Sequence, residues 1–578
     1  MDGTALAGVF PKSTKANILE CTRMTSFLVG FDEGTSSKLN NTADTMHDEE
    51  NKDTKNEQNI TLDAALAMDV CDVGYPWMDD EFSFLKLQEA SNMSKAAYME
   101  IMTMAMEAQT WINAQPALGS IDDLLKLFLC ESPAGKRVEC SIESAVVPIP
   151  PIILVSTLLQ VETWSSIFCH IVHRGSSSLP TGVMGKLNND DHAMQNLEVV
   201  NAEFHLPTPF VQNRKSCFLR WQKEVIPNVW AILDLSCDYF PYCPFDCTLE
   251  PNCWKKPSGV IIRPHGSHSE VIWIENIEVN EGQVQDNIFC AVMNSDLAFS
   301  AKRWVRTLLW QLKRHEIGIY NTRIEVGALV YSGLLELTSE MKKVYLGCVN
   351  SDPDCRKWVI LNDQGVRILR AVDHGGMSNN YIAVTSFRVQ ADLPTVFDFL
   401  VEKNVDIQWR TLLHNEGHEE IVGLSDFEET NCITLHRKMT EFMDLRKQTE
   451  YGDMEDVSDK EDAAMEMEDV TDTEYLLQEA SRDEFCSFIV SAPMTLLEGR
   501  SLIEGRPRNI SLLPSGFAVM CDGSMNSDAS LVTIALQEQV DDMETEQIIE
   551  MMSDLVNTII ADINEWVIPA GSNQGSQG

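Results

Sequence analysis

Residues 197–235 impose the strongest constraint on what this 578-residue chain can fold into. Apolar side chains recur at every second position from 200 to 206, with polar side chains between them. A Pro-Thr-Pro corner follows, and two further short alternating runs occupy 216–222 and 229–235. Because side chains alternate between the two faces of a strand, this pattern predicts a twisted antiparallel meander with one apolar face.

Helices are predicted on both sides of this meander. Residues 138–174 combine a strand with a helix, and because proline is tolerated only in a first turn, that helix should begin at or after Pro151 and end near Trp164. Residues 294–315 place apolar side chains on one face of a longer helix, with Asn294 or Ser295 as its N-cap. A Met-rich amphipathic helix is predicted earlier, over 81–111.

The second half of the chain repeats the same plan. Residues 381–414 again combine a strand, a short turn and a helix. Strands are predicted over 487–494, 509–523 and 530–540, and a long amphipathic helix over 546–567. We therefore interpret the two halves as helix-grip modules in tandem.

Particular phrases in the first half resemble a known family. The meander, PTGVMGKL (180–187), PSGVIIRPHGSHSEVIWIENIEV (257–279) and AFSAKRW (298–304) resemble the START lipid-binding domain. More narrowly, they resemble the START domain of plant class IV homeodomain–leucine-zipper transcription factors. This resemblance implies a sheet wrapped around a long helix to enclose an apolar cavity, and hence a lipid or sterol-like ligand.

The second half resembles the START-associated region of the same plant family, through LLPSGFA (512–518) and SLVTIA (530–535). The expected fold class is α+β, with two tandem START-like helix-grip modules. Each would be a curved antiparallel sheet wrapped around a long C-terminal helix. We expect the START domain over 81–318 and the START-associated domain over 319–570.

Two acidic segments should not pack into either module. Residues 1–80 are expected to form a disordered acidic tail, since 40–60 contains almost no apolar side chain. An insertion at about 440–474 is expected to be disordered, because residues 450–474 hold 12 acidic residues against one Lys. A solvated loop is the simpler interpretation, and an acidic activation segment is the alternative.

The charge balance bears on possible partners. A net charge of −44 opposes nonspecific binding to DNA or to anionic membranes. We find no counterpart of the family's homeodomain, and no run of heptads for its zipper or any coiled coil. The phrase VQNRK (211–215) is similar to part of a homeodomain helix, but it follows the Pro-Thr-Pro corner, where a loop is expected. We therefore expect no direct DNA binding by this chain.

Compartment follows from the cysteines and from the resemblance. The chain has 16 cysteines, no sustained apolar signal segment and no window of about 18 apolar residues, so we expect an intracellular chain with reduced thiols and no membrane span. The resemblance implies the nucleus, and the cytoplasm stays open. No phosphate loop, GxSxG or HExxH motif is found, so we expect no enzyme activity and no cofactor.

Two short segments of the sequence contain several potential metal ligands. Cys237, Cys243, Cys247 and Cys253 lie close in sequence, but only the central pair has the spacing usual for zinc, so we expect free loop cysteines, with reactive thiols or zinc as alternatives. His265, His268 and Glu270 lack a third convergent group for metal or acid–base chemistry, and we expect a polar hairpin turn there. No metal site is predicted.

The apolar strand faces and four tryptophans are the candidate ligand pocket. Arg220 and Glu203 are possible polar anchors within it, and the alternative is that the same apolar residues simply fill a core. The candidate pocket residues are Trp164, Val200, Ala202, Phe204, Leu219, Trp221, Trp230, Leu233, Ile272, Trp273 and Trp304.

The first functional hypothesis is a non-catalytic START protein in which occupancy by a lipid or sterol changes stability or partner binding in transcriptional regulation. The second is a ligand-free interaction module that associates with, or competes against, related transcription factors. A cytosolic lipid carrier is a weaker third.

Overall fold

The computed structural model describes most of the chain from residue 135 to residue 567. The residues in this span that it does not describe are 179–196, 240–249, 281–287, 296, 315–316, 325, 351–356, 374–375, 413–417, 427–430, 439–472, 507–509, 511, 524–527 and 542. The tail predicted over 1–80, the helix predicted over 81–111 and almost all of the insertion predicted at 440–474 lie outside the described residues. Everything that is described belongs to one compact unit, Met93–Gly578.

The first module is built on an eight-stranded antiparallel sheet. Its strands follow the order β1-β8-β7-β5-β4-β3-β2, and β6 pairs with β8 beside this path. The strands are β1 Arg137–Val147, β2 Val172–Ser178, β3 Leu197–Phe204, β4 Arg214–Ile226, β5 Val229–Ser236, β6 Cys253–Lys255, β7 Ser258–His265 and β8 His268–Val279. The meander predicted over 197–235 is therefore confirmed as β3, β4 and β5.

The helices of the first module differ in detail from those expected. They are α1 Pro151–Leu159, α2 Val161–Ile167, α3 Cys290–Met293 and α4 Ala301–Arg314. The predicted start at Pro151 is confirmed, and its ring occupies the first turn. The predicted end near Trp164 is wrong for α1, because Gln160 adopts extended dihedrals and begins a separate helix that carries Trp164.

The predicted start of the closing helix at 294 is also wrong. Asn294 is the C-cap of the short helix α3, and the Ser295 hydroxyl donates a hydrogen bond to the Val292 carbonyl. Neither residue is the N-cap of α4. The Ala301 N–H that opens α4 instead donates to the Ser141 hydroxyl of β1 at 2.8 Å, so the sheet itself satisfies one of the donors at this helix end.

The second module has a ten-stranded antiparallel sheet in the order β10-β11-β12-β18-β17-β16-β15-β14-β13-β9. The strands are β9 Gly318–Thr322, β10 Lys357–Gln364, β11 Val366–Asp373, β12 Gly376–Val389, β13 His418–Ser425, β14 Asn431–Lys438, β15 Thr473–Ser481, β16 Cys486–Thr495, β17 Ser515–Cys521 and β18 Ser530–Gln539. The helices are α5 Ala328–Val349, α6 Leu393–Leu412, α7 Leu496–Ile503 and α8 Thr545–Val567. The elements predicted over 487–494, 530–540 and 546–567 are confirmed.

The two faces of the second sheet carry different helices. Ile534 of β18 and Phe517 of β17 belong to a buried core with Val396 of α6 and Val556 of α8. On the opposite face, Thr533 of β18 accepts a hydrogen bond at its carbonyl from Tyr345 of α5. The second module therefore wraps α8 on one side of its sheet, and its other side is turned to α5 and the first module.

The contact between the modules is close. At Gly523, whose φ is +82°, an added Cβ would lie 2.5 Å from the Val292 nitrogen of α3. The Thr208 hydroxyl at the Pro-Thr-Pro corner lies 2.9 Å from the Ser386 hydroxyl of β12, which lies 2.8 Å from the Thr533 hydroxyl. These contacts seat the β3–β4 corner and α3 against the second sheet.

One carboxylate in the second module, Glu538, is half-buried without a partner among the described residues. Glu538 extends the row of Ile534 and Leu536 on the α8 face of β18, opposite Tyr381. No hydrogen bond or ion pair joins it to another described residue, and burial raises its pKa to about 7. The folded state therefore holds its proton at pH values where the unfolded chain releases it, so stability falls as pH rises from about 4.5 to about 7.

Replacing this carboxylate by an amide should stabilise the protein only at high pH. We expect Glu538→Gln to raise the free energy of unfolding at about pH 8 by on the order of 1 kcal/mol or more, and to change it little near pH 4. Urea unfolding at both pH values measures the difference, with the exposed helix residue Glu550→Gln as control. An equal effect at both pH values would contradict the assignment.

Candidate functional site

The candidate site lies between the first sheet and helix α4. Residues directly opposite each other in neighbouring strands point to the same face, and the register pairs Arg220 with Asp234 and Val260 with Trp273. These side chains therefore lie on one face, which we call the inner face. Helix α4 covers it, because Trp304 of α4 stacks on Trp273 of β8.

Aromatic side chains fill the centre of the inner face. Trp304 stacks between two other indoles, with ring centroids 5.8 Å from Trp164 and 5.2 Å from Trp273 and interplanar angles of 11° and 12°. Phe168 and Phe204 meet the Trp304 ring edge-on, at 4.9 Å and 5.9 Å. All five rings are buried, so this cluster anchors α1–α2, the sheet and α4 to one another.

Four charged side chains are buried beside the aromatic cluster. Arg220 donates two hydrogen bonds to Asp234, at 2.8 Å and 2.9 Å. Lys255 donates to Glu275 at 3.0 Å and lies 3.7 Å from Asp234. The side chains are only 2–6% exposed. Two positive and two negative charges compensate one another, which a buried set requires, because removing one leaves an uncompensated buried charge.

This charged quartet is tied to the surrounding elements. Arg220 also donates to the Leu158 carbonyl at the end of α1, at 3.1 Å, and its guanidinium lies 4.5 Å from the Trp164 ring. The Trp273 indole N–H donates to Glu275 at 3.0 Å. The polar groups thus fix the orientation of the rings that pack on them.

Two cavities lie along this interface. The inner one, between the aromatic rings and the quartet, measures about 10 Å³, about the room that one water molecule needs. The outer one measures about 280 Å³ and lies between β1, β8 and the start of α4. Glu275 lines both, so the quartet forms a wall between them.

The outer cavity has both apolar and polar walls. Phe299 stacks under the Arg214 guanidinium at 3.8 Å, and Arg214 in turn makes two hydrogen bonds to Glu139 of β1. The Ser300 hydroxyl is buried and has no hydrogen-bond partner among the described residues. The residues lining the cavity include Val138, Glu139, Ser141, Glu275, Ile277, Met293, Asn294, Phe299 and Ser300.

The structure divides the predicted pocket residues between two faces. The first group lies on the inner face or packs against it: Trp164, Val200, Ala202, Phe204, Trp230, Trp273 and Trp304. The second group lies on the opposite face of the same sheet: Leu219, Trp221, Leu233 and Ile272. The alternating pattern shows which side chains share a face within one strand. It does not show which face of one strand lies on the same side of the sheet as a given face of its neighbour.

The two polar residues predicted to anchor a ligand also lie on different faces of the sheet. Arg220 lies on the inner face within the quartet, whereas Glu203 lies on the opposite face, 3.8 Å from Lys215. Sequence reasoning missed Asp234, Lys255 and Glu275. Polar residues at alternating positions in strands that are otherwise apolar were the available signal.

The remaining candidates from the sequence are the 265–270 hairpin, the loop cysteines and the VQNRK phrase. His265 and His268 are paired and exposed at a tight hairpin turn, and Glu270 is bound by Arg263 at 2.7 Å. Cys243 and Cys247 lie outside the described residues. Within the described ranges, no group of three or more potential metal ligands converges, and no helix is long and apolar enough to span a membrane. The VQNRK phrase ends in β4, where Arg214 is buried.

A family model supplies the decisive comparison for the first module, since the START domain model matches residues 95–313. The chain contains a START domain. A second model, described as the PDF2-like, C-terminal domain, matches residues 460–567 in the second module. The resemblance to plant class IV homeodomain–leucine-zipper proteins, drawn from the sequence phrases, is confirmed by these matches and by the relatives below. The α+β fold class is confirmed as well.

Curated relatives extend the similarity beyond the START domain. Homeobox-leucine zipper protein HDG3 of Arabidopsis thaliana is 27% identical over 485 residues, covering 77% of this chain and 60% of that protein. Homeobox-leucine zipper protein ANTHOCYANINLESS 2 of Arabidopsis thaliana is 26% identical, covering 76% of this chain and 54% of that protein. The chain therefore spans between a half and two thirds of these relatives.

Solved structures show a lower similarity to this chain. Human StAR-related lipid transfer protein 5 is 12% identical and covers 38% of this chain and 98% of its own, with a TM-score of 0.24.

Removing the central indole should weaken the START domain severely. We expect Trp304→Ala to lower the free energy of unfolding by about 3–5 kcal/mol, because it opens a cavity between two stacked rings and three packed elements. Urea unfolding measures the loss. Trp566→Ala provides the control: this residue stacks on Phe399 but is 43% exposed, and we expect about 1 kcal/mol or less. Equal losses would contradict the central role of Trp304.

Proposed function

We propose that the chain is a non-catalytic regulatory protein whose START domain, placed at 81–318, binds a lipophilic ligand such as a sterol or phospholipid. The observation that carries the proposal is the 280 Å³ cavity between the inner face and the start of α4. Its volume is near the lower end of the range for small-molecule pockets. Ligand occupancy would change stability or partner binding, with the START-associated domain at 319–570 as part of the same unit.

The cavity walls suit an amphipathic molecule. Ile277, Met293 and Phe299 offer apolar surface, and the unpartnered Ser300 hydroxyl offers a hydrogen bond to a polar atom of the ligand. A buried hydroxyl without a partner costs free energy that a ligand atom would recover.

The inner cavity limits where a ligand could go. About 10 Å³ remains between the rings and the quartet, so a lipid cannot enter there unless Trp273 or Trp304 moves. A sterol is larger than the outer cavity too, so its binding requires movement of Phe299 or of the start of α4. Ligand binding and displacement of this helix are therefore linked in the proposal.

The setting we propose is transcriptional regulation in the nucleus, and it is supported by the likeness to homeobox-leucine zipper proteins. Related transcription factors are the proposed protein partners. We propose no direct DNA contact by the described domains, since the net charge of −44 opposes it.

Native mass spectrometry of the full chain, followed by organic extraction, tests for the ligand. We expect a lipophile at one copy per chain, and a higher melting temperature when it is added back, because a ligand that binds only the folded state stabilises it. A chain that stays empty against a broad panel of sterols and phospholipids contradicts the proposal.

A substitution at Ser300 tests the site itself. Because this hydroxyl bonds no described group, Ser300→Val should leave the free energy of unfolding unchanged or raised, yet weaken lipid binding by about tenfold through lost volume and a lost polar contact. Equilibrium binding of the extracted lipid measures the effect. Ser156→Val on the exposed side of α1 is the matched control and should bind normally. Unchanged binding by Ser300→Val would place the ligand elsewhere.

The second candidate is a ligand-free module that associates with or competes against related transcription factors. The specific observation that favours it is the packing of the inner face, which five aromatic rings and the charged quartet nearly fill. An empty chain that still binds its partners with full affinity would favour this candidate.

A further inference from the structure

Helix α4 has a second buried side, turned away from the START core. Trp304 packs on the inner face of the first sheet, whereas Arg314 at the other end of the helix binds Glu479 of β15 in the second sheet. Arg303, next to Trp304 in the first turn of the helix, has its guanidinium 5.0 Å from the Phe485 ring. The helix that closes the START cavity is thus also part of the interface with the second module.

The contact at Glu479 is a buried cluster of one carboxylate and two cations. Arg314 donates to both carboxylate oxygens, at 2.8 Å and 3.1 Å, and Lys342 of α5 donates to Oε1 at 2.8 Å. The three side chains are 1–3% exposed. Burial alone would raise the pKa of Glu479, but Arg314 and Lys342 lower it to about 2, so the group is ionised.

The arrangement gives Glu479 two alternative cationic partners. The paired Arg314–carboxylate geometry depends on both hydrogen bonds, so a shift of about 1 Å breaks at least one of them. Lys342 belongs to α5 and would keep the carboxylate compensated if Arg314 withdrew. Arg314 also donates hydrogen bonds to the Leu335 carbonyl and the Thr338 hydroxyl of α5, so the guanidinium has acceptors besides Glu479. With Arg314 on those acceptors and Lys342 on Glu479, each of the three side chains would still have a hydrogen-bond partner.

The other contacts of the interface hold its remainder in place. His170, beside α2, packs on Phe488 of β16 at 4.3 Å, a contact between the two modules that does not pass through α4. The Thr208–Ser386–Thr533 hydroxyl chain fixes the β3–β4 corner on the second sheet. If α4 is displaced, we therefore expect it to move relative to β15 while the rest of the START domain stays in place on the second sheet.

We propose that α4 couples occupancy of the START cavity to the second module, through a change in the Arg314–Glu479–Lys342 cluster. This rests on the proposed function, since a lipid larger than the outer cavity must displace Phe299 or the start of α4. A helix of 14 residues spans about 21 Å, and as a rigid element it carries a displacement at its first turn to its last. The stability of β15, measured by its amide exchange, then depends on whether the cavity is filled.

Hydrogen exchange of the full chain tests this coupling. The protein is incubated with vesicles of phosphatidylcholine and cholesterol, the vesicles are removed, and bound lipid is counted by native mass spectrometry. We expect loading to change amide exchange in both α4 and β15. In Glu479→Gln, lipid should load to the same stoichiometry and still change α4, while the change in β15 falls by about tenfold.

Two further variants keep the result interpretable. Glu484→Gln is the matched control, because Glu484 also pairs with α4, through Arg306 at 3.4 Å, but is 69% exposed, so it should behave like the natural chain. Arg314→Lys keeps the charge and loses the fork geometry, and it should uncouple β15 as Glu479→Gln does. If lipid loads and α4 responds while β15 of the natural chain does not, the coupling is overturned and the ligand proposal stands.

If no lipid loads, the ligand proposal fails and the coupling is tested without it. Trp304→Phe perturbs α4 from the START side alone. We expect it to raise amide exchange in β15 by about tenfold when Glu479 is present, and not when Glu479→Gln is added. Unchanged exchange in β15 in both backgrounds would overturn the coupling.

Discussion

The placement of helix α4 between two sheets is the constraint on which the rest of this structure depends. On one side, its Trp304 is stacked between Trp164 and Trp273 in the START core. On the other, its Arg314 is held by Glu479 of the second sheet. A helix with an apolar stripe along one side needs one partner, whereas a helix with two buried sides needs two. The START domain therefore completes its packing only when the second module is in place.

Buried charge is a second recurring feature. In both modules, the fully buried carboxylates have cationic partners. The quartet of Arg220, Asp234, Lys255 and Glu275 is balanced, and Glu479 has two cationic partners. Such sets add little net stability compared with apolar packing, because desolvation offsets the attraction between the charges. The quartet does fix geometry, since a shift in one of its four members leaves another uncompensated. The half-buried Glu538 has no such partner among the described residues, and burial raises its pKa to about 7 instead.

Much of the fold could be predicted because its signals are local. Alternation over 216–222 and 229–235 fell within β4 and β5, and the spacing over 546–567 gave nearly the whole of α8. The break at Gln160 could not be predicted, since neither Gly nor Pro marks it. The late start of α4 was missed because Ser141 of a distant strand accepts the hydrogen bond that a local N-cap would have taken.

The site was only partly predictable, for a related reason. The choice between Val200 and Leu219 as pocket residues depends on the phase between β3 and β4, which the pairing register sets and neither strand contains alone. Arg220 was identified as a possible anchor, but its partner Asp234 follows from the β4–β5 register. The Arg314–Glu479 pair joins residues 165 apart, so no local pattern marks it.

Urea unfolding of the full chain, followed by hydrogen exchange in β4, β8, β16 and β18, tests the shared role of α4 most directly. If both sheets depend on this helix, amides of the first sheet (β4, β8) and of the second sheet (β16, β18) lose protection at the same urea concentration, in one cooperative transition. Two separate transitions, with one sheet still protected while the other exchanges, would show that each module is stable alone and would contradict the account.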